Sequence, residues 1–126
     1  MIIMKKILII EDEAAYLKLL QDKLTANGYE VIEATDGKKG LAMAKKENPD
    51  LILLDVRMPG MDGMKMLNVL CKEDACKKIK IIILSNLELD DKTTRGVDRD
   101  EPAQYFVKSD IRFSELLEKI KELLGE

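Results

Sequence analysis

The sequence predicts an α/β protein with a parallel sheet covered by helices on both faces. Two observations carry this prediction. Five short apolar runs alternate with longer amphipathic or polar stretches along the chain. Residues 7–10, 51–54 and 81–84 are continuously apolar, as expected of strands whose two faces are both buried.

Lys6–Ile10 is a short run of β-branched and aliphatic residues and reads as the first buried strand. Ala14–Ala26 places Leu17, Leu20 and Leu24 at helical spacing, and Asn27-Gly28 supplies a left-handed stop. Glu30–Ala34, with Val31 and Ile32 inside it, is the second strand. Asp36 is the N-cap candidate for a helix through Leu41, Ala42, Ala44 and Lys45, which Pro49 stops. Leu51–Leu54 is wholly apolar and runs straight into Asp55. Pro59, Gly60 and Gly63 mark a loop, and residues 64–72 read as a helix. Residues 79–84, apolar apart from Lys80, are the fourth strand, ending at Ser85. Residues 89–99 are polar, weakly periodic and contain Gly96, so a short or frayed fourth helix is expected there. Residues 105–107 make a short last strand ending at Lys108. Residues 114–124 carry Leu117, Ile120 and Leu124 on one helical face, with lysines and glutamates on the other.

Composition narrows the function classes. The 126 residues suit one domain, too short for this fold plus an output domain. A formal charge of -3 gives no basic face for nucleic acid and no polybasic membrane anchor. Ile7 to Ile10 runs into three acids, so it cannot serve as a signal-peptide core. No apolar run approaches the ~20 residues of a membrane span, and a cytoplasmic protein is expected. Cys71 and Cys76 are not a CxxC pair, and the chain has no histidine. That excludes Cys/His zinc sites and Ser/His or Cys/His nucleophiles, and leaves two reduced thiols as the expectation.

The strand ends carry the chemistry. In open parallel sheets, function collects beyond the C-terminal ends of the strands. Those ends read Glu11-Asp12, Asp55, Ser85 and Lys108, each directly after an apolar run. Any one alone would be a surface residue or a cap; Asp12 could cap the first helix. Together they describe a site. Carboxylates converging at one sheet edge repel unless a cation offsets them, and Mg²⁺ is the natural hard, oxygen-seeking partner. An ionised Asp55 can attack phosphorus to give an acyl phosphate. Mg²⁺ and Lys108 would then stabilise charge on the phosphoryl oxygens, and the Ser85 hydroxyl could donate a hydrogen bond to one of them.

Four stretches carry a family resemblance: residues 7–13 (ILIIEDE), 50–63 (DLILLDVRMPGMDG), 81–85 (IIILS) and 105–108 (YFVK). The second is the most specific, with Pro59 four residues and Gly63 eight residues beyond Asp55. Over nearly its whole length the chain resembles a response-regulator receiver domain of two-component signalling. The resemblance implies a flavodoxin-like (βα)5 doubly wound sheet of order 2-1-3-4-5, formed by residues 1–126 as a single receiver domain without an output domain. It implies Asp55 as phosphoacceptor and Mg²⁺, with Mn²⁺ able to replace it, as the metal. Asp12 and Asp55 would be direct ligands, Glu11 would act mainly through a water, and the Arg57 backbone carbonyl would complete the protein's share. Ser85 would be the switch hydroxyl, Lys108 the phosphate-pairing lysine and Tyr105 the switch aromatic. The donor would be a sensor histidine kinase or a phosphotransfer protein. Phosphorylation would remodel the face built from the fourth helix, fifth strand and fifth helix, in a monomer or a phosphorylation-dependent dimer. Self-catalysed transfer and hydrolysis, rather than substrate turnover, is the implied chemistry.

The chain departs from the family pattern at three places. Ser109 stands where the family commonly has a cis proline, and a cis bond without proline costs about 2.5–4 kcal/mol. Asn86 stands where a small residue is usual. Residues 98–104 carry Glu101-Pro102 in place of Gly-Ala. Ser109 and Asn86 favour the alternative of an unphosphorylated pseudo-receiver acting as an interaction module. A phosphotransfer enzyme with an aspartyl nucleophile is disfavoured, because Arg57 occupies the place of its second acid. Met58, Met61, Met64 and Met66 read as flexible packing and helix core.

Overall fold

The structure, a computed structural model, describes residues 4–55, 63–72, 78–85, 104–109 and 111–126. Its elements are β1 (Lys6–Ile10), α1 (Ala14–Ala26), β2 (Glu30–Ala34), α2 (Gly37–Glu47), β3 (Leu51–Leu54), α3 (Gly63–Cys71), β4 (Lys80–Ser85), β5 (Gln104–Val107) and a C-terminal helix (Phe113–Leu123). The strands form one sheet of order β2-β1-β3-β4-β5, with every pair parallel. This is the flavodoxin-like topology expected from the sequence.

Side-chain alternation sorts the apolar strands between two cores. Leu8, Ile10, Ile52, Leu54, Ile81 and Ile83 pack with Ala44 of α2 and with Met66 and Leu70 of α3. Ile7, Ile9, Leu51, Leu53, Ile82 and Leu84 pack with Leu17, Leu20 and Leu24 of α1 and with Leu116 and Ile120 of the C-terminal helix. Neither face of the central strands needs polar residues, which is why residues 7–10, 51–54 and 81–84 are unbroken apolar runs, whereas β2 at the sheet edge carries Glu30 and Glu33. Full burial of one such side chain is worth roughly 1.5–3 kcal/mol, so the central strands are firmly held.

Local signals set the helix ends. α1 stops in a Schellman turn: Gly28 sits at φ +89°, its N–H donates to the Thr25 carbonyl at 3.1 Å, and the Tyr29 N–H donates to Leu24 at 3.2 Å. The Asp36 carboxylate accepts from the Lys39 N–H at 2.7 Å and caps α2 as expected. Its other end closes on Asn48, in the left-handed region at φ 47°, before Pro49 is reached. Asn tolerates that region better than other side chains bearing a Cβ.

Some expectations shift. The N-cap of α1 is Glu13, not Asp12, and its side chain makes no capping hydrogen bond. β4 begins at Lys80 rather than 79, and α3 runs one residue earlier than the sequence pattern. On the C-terminal helix, Leu116 and Ile120 are the buried pair, while Leu117 and Leu124 are only partly covered. Met66 is fully buried, as the helix-core reading required. None of the described peptide bonds is cis, so Lys108–Ser109 is trans. Among the described residues no helix is long and apolar enough to cross a membrane. The readings of Arg57, Met58, Met61, Cys76, Asn86, residues 89–99 and Glu101-Pro102 lie outside the described residues. So do the side chains of Met64, Cys71, Ser85 and Tyr105.

Candidate acidic site at the sheet rim

The register of the sheet builds the site. Ile10 of β1 lies opposite Leu54 of β3, so the next residues, Glu11 and Asp55, leave adjacent strands at the same level. Backbone bonds continue the ladder one step further: Glu11 N–H donates to the Ala34 carbonyl and Asp55 N–H to the Ile10 carbonyl, both at 3.0 Å. On the other side of the sheet, Ser85 is in register with Val107. Val107 hands the chain to Lys108, whose side chain returns over the rim.

Glu11, Asp12 and Asp55 each offer a carboxylate oxygen within 4.8 Å of the others. Glu11 is 2% exposed and Asp55 8%, while Asp12 is open to solvent. Three acids this close form an oxygen-only, hard donor set. It fits a divalent cation of the Mg²⁺ type, reached from the exposed Asp12 side.

Lys108, itself 8% exposed, is the cation in the midst of these acids. Its ammonium donates a hydrogen bond to the Glu11 carboxyl. It also lies 3.1 Å from Glu13 Oε2 and 3.5 Å from Asp55 Oδ2. The ring of Tyr16, one turn into α1, lies under the same nitrogen at 4.4 Å from its centroid, a cation–π contact.

Burial dominates the titration of this group. Burial pushes the Glu11 carboxyl up to about 8; Lys108 pulls it back, and the neighbouring Asp55 raises it further. Burial also pulls the Lys108 ammonium down, but its hydrogen bonds to Glu11 and Glu13 and the charge of Asp55 outweigh this, and its pKa ends raised. Burial raises the Tyr16 phenol too, with Lys108 opposing.

The structure thus brings together four of the residues expected from the strand ends: Glu11, Asp12, Asp55 and Lys108. Ser85 and Tyr105 are placed by backbone alone, at the end of β4 and within β5. Glu13 and Tyr16 were not foreseen. The signal for Glu13 was its place in the acidic run of residues 11–13, where it reads as a helix start.

A doubly wound parallel sheet with an acidic rim and an inward lysine defines a class: an α/β domain built to hold a cation beside a carboxylate. The chain belongs to the response regulator receiver domain family, which it matches over residues 7–121. It is 43% identical to the response regulator PleD of Caulobacter vibrioides over 83 residues, covering 66% of this chain but only 18% of PleD. It is 29% identical to the polar-differentiation response regulator DivK of Brucella anthropi over 122 residues, covering 97% of this chain and 98% of DivK. Among solved structures, the response regulator TrrA of Thermotoga maritima, in complex with Mg(2+)-BeF, superposes with a TM-score of 0.81 at 34% identity, covering 95% of this chain and 99% of TrrA. The family is one of signalling phosphoacceptors in two-component phosphorelays, not of turnover enzymes, and receiver domains take their phosphoryl group from histidine kinases.

Proposed function

We propose that Asp55 is the phosphoacceptor of this domain and that the cluster around it works with Mg²⁺. The observation that carries this reading is the meeting of three carboxylates within 4.8 Å, with Lys108 at 3.5 Å from Asp55. Asp12 and Asp55 would hold the cation directly and Glu11 mainly through a water, and by the family resemblance the Arg57 backbone carbonyl, which lies outside the described residues, would complete the set. When bound, the cation neutralises negative charge on the incoming phosphoryl oxygens.

Asp55 supplies the nucleophile. One of its carboxylate oxygens forms the new bond to phosphorus, and the bond from phosphorus to the donor breaks, its electron pair leaving with the donor. Asp55 and Glu11 are buried, and the exposed Asp12 leaves the site open on one side for the donor. Lys108 pairs with a phosphoryl oxygen once that group arrives. By the family resemblance, Ser85 would be the switch hydroxyl that donates to it and Tyr105 the switch aromatic. The surface so altered is the face that carries the signal, a population shift between two states. The donor is a sensor histidine kinase or a phosphotransfer protein in the cytoplasm. TrrA's Mg(2+)-BeF complex supports the metal requirement by analogy.

The test uses a small phosphodonor such as phosphoramidate with Mg²⁺, read by intact mass. The expected result is one added phosphoryl group on the wild type, lost on chelation and lost in Asp55→Asn. A wild-type chain that takes no label under these conditions refutes the proposal in favour of an unphosphorylated interaction module.

A further inference from the structure

Lys108 has more partners than phosphoryl pairing requires. Its nitrogen lies nearer to Glu13, at 3.1 Å, than to Asp55, at 3.5 Å. An ammonium has only three protons to donate, and Glu11 engages it as well. The ring of Tyr16 closes another side. An incoming phosphoryl oxygen must therefore displace a partner that Lys108 already has.

Glu13 is the partner suited to yield. Its side chain is 60% exposed, while that of Lys108 is 6% exposed. It stands at the N-cap of α1, where a side chain ordinarily accepts from the helix N–H groups, yet it makes no such bond. Ser, Thr, Asp and Asn are the residues that cap well there, typically by about 1 kcal/mol over a non-capping side chain. The carboxylate is instead committed to Lys108, 95 residues away in sequence.

We propose that Glu13 is a positioning residue that holds Lys108 in the resting domain and competes with the phosphoryl group for it. The proposal rests on the reading of Asp55 as acceptor. Removing Glu13 releases the lysine toward Asp55 and speeds phosphorylation. An ion pair with one exposed partner is worth about 0.2–1 kcal/mol, which corresponds to about 1.4-fold to fivefold in rate.

The experiment compares wild type, Glu13→Gln and Glu13→Asp in the full chain. The rate of phosphorylation by phosphoramidate with Mg²⁺ is one readout. The NMR resonance of the Lys108 side-chain nitrogen, in metal-free protein without donor, is the other. Gln removes the charge; Asp keeps the charge but shortens the reach. The expected result is that both variants are about 1.4-fold to fivefold faster and that both shift the Lys108 resonance. If Gln is faster while Asp matches wild type, the charge acts through its field rather than by contact, and the proposal is overturned. Unchanged rates, or an unmoved Lys108 resonance, overturn it as well. A wild type that takes no label at all overturns the acceptor reading itself, and the competition falls with it.

Discussion

Glu11 makes the stability of the metal-free domain depend on pH in a direction unusual for an acid. Its burial, with Asp55 beside it, lifts its pKa from 4.5 to about 8 despite Lys108. In the unfolded chain the carboxyl returns to the lower value. Between the two values the folded domain keeps a proton that the unfolded chain has released. Stability therefore falls as pH rises across this window, by up to about 1.4 kcal/mol per pH unit. Below pH 4.5 both states hold the proton and the group contributes nothing; above about 8 both have lost it and the penalty is complete. The whole window has a ceiling of about 5 kcal/mol, and the span from about pH 6 to about pH 8 accounts for about 2 kcal/mol of it.

The perturbation is Glu11→Gln, which keeps the shape and removes the titration. The assay is urea denaturation with a chelator present, at about pH 6 and about pH 8. A loss of about 2 kcal/mol moves the urea midpoint down by about 1 M for a domain of this size. Wild type should show that fall over and above whatever the other groups produce, and Glu11→Gln should lack it. Parallel profiles for the two proteins would refute the reasoning, because they would mean that the buried carboxyl is ionised throughout.

Two further outcomes follow from the same packing. Mg²⁺ needs the ionised acids, so its stabilisation of the domain should be greater at about pH 8 than at about pH 6; thermal melts with and without the cation check this, and an equal shift at both would contradict it. Gly40→Ala should destabilise: its Cβ would stand 2.6 Å from Ile10 Cδ1, 3.0 Å from Cγ1 and 3.2 Å from Cγ2. Ile10 is fully buried and stiff at χ1, so overpacking of about 1–3 kcal/mol outweighs the roughly 1 kcal/mol of helix propensity gained. A melting temperature equal to or above wild type would show that Ile10 yields freely.

The sequence made the centre of the sheet legible because hydrophobicity there has one cause. β1 and β3 are covered on both faces, and the apolar runs Lys6–Ile10 and Leu51–Leu54 coincide with the strands. Ile79 blurs the start of β4, since it is 3% exposed without belonging to the strand; an apolar side chain reports burial, not ladder bonding. The C-terminal helix misleads similarly. Leu116 and Leu117 are neighbours of equal hydrophobicity, and only docking against the sheet selects Leu116 for the core.

The rim divides along the same lines. Glu11, Asp12, Asp55 and Lys108 stand out because each is the first charged residue after an apolar run, or next to it. Glu13 and Tyr16 do not, because their part depends on where the end of a lysine side chain falls after crossing from β5 to β1. Spacing along the chain carries no trace of that. Asp12 as a helix cap was the local reading, and its carboxylate lies with those of Glu11 and Asp55 instead.

The rigidity of the sheet is what makes such a rim useful. Once Glu11 is ionised, two full negative charges within 4.8 Å of each other repel by at least about 3.5 kcal/mol at an effective dielectric of 20. Acids on a loose loop would relieve that by drifting apart. Here Glu11 and Asp55 are the immediate successors of Ile10 and Leu54, both fully buried in the α2–α3 core. Burying those two side chains stabilises by roughly 3–6 kcal/mol in sum, which is comparable with the repulsion, so the anchors resist the acids drifting apart. Lys108, at 3.5 Å from Asp55, offsets about 4–5 kcal/mol of it on the same scale. The resting domain therefore holds its acids close around an internal ammonium. A divalent cation can take over that role at the carboxylates without any movement of the strands that position them.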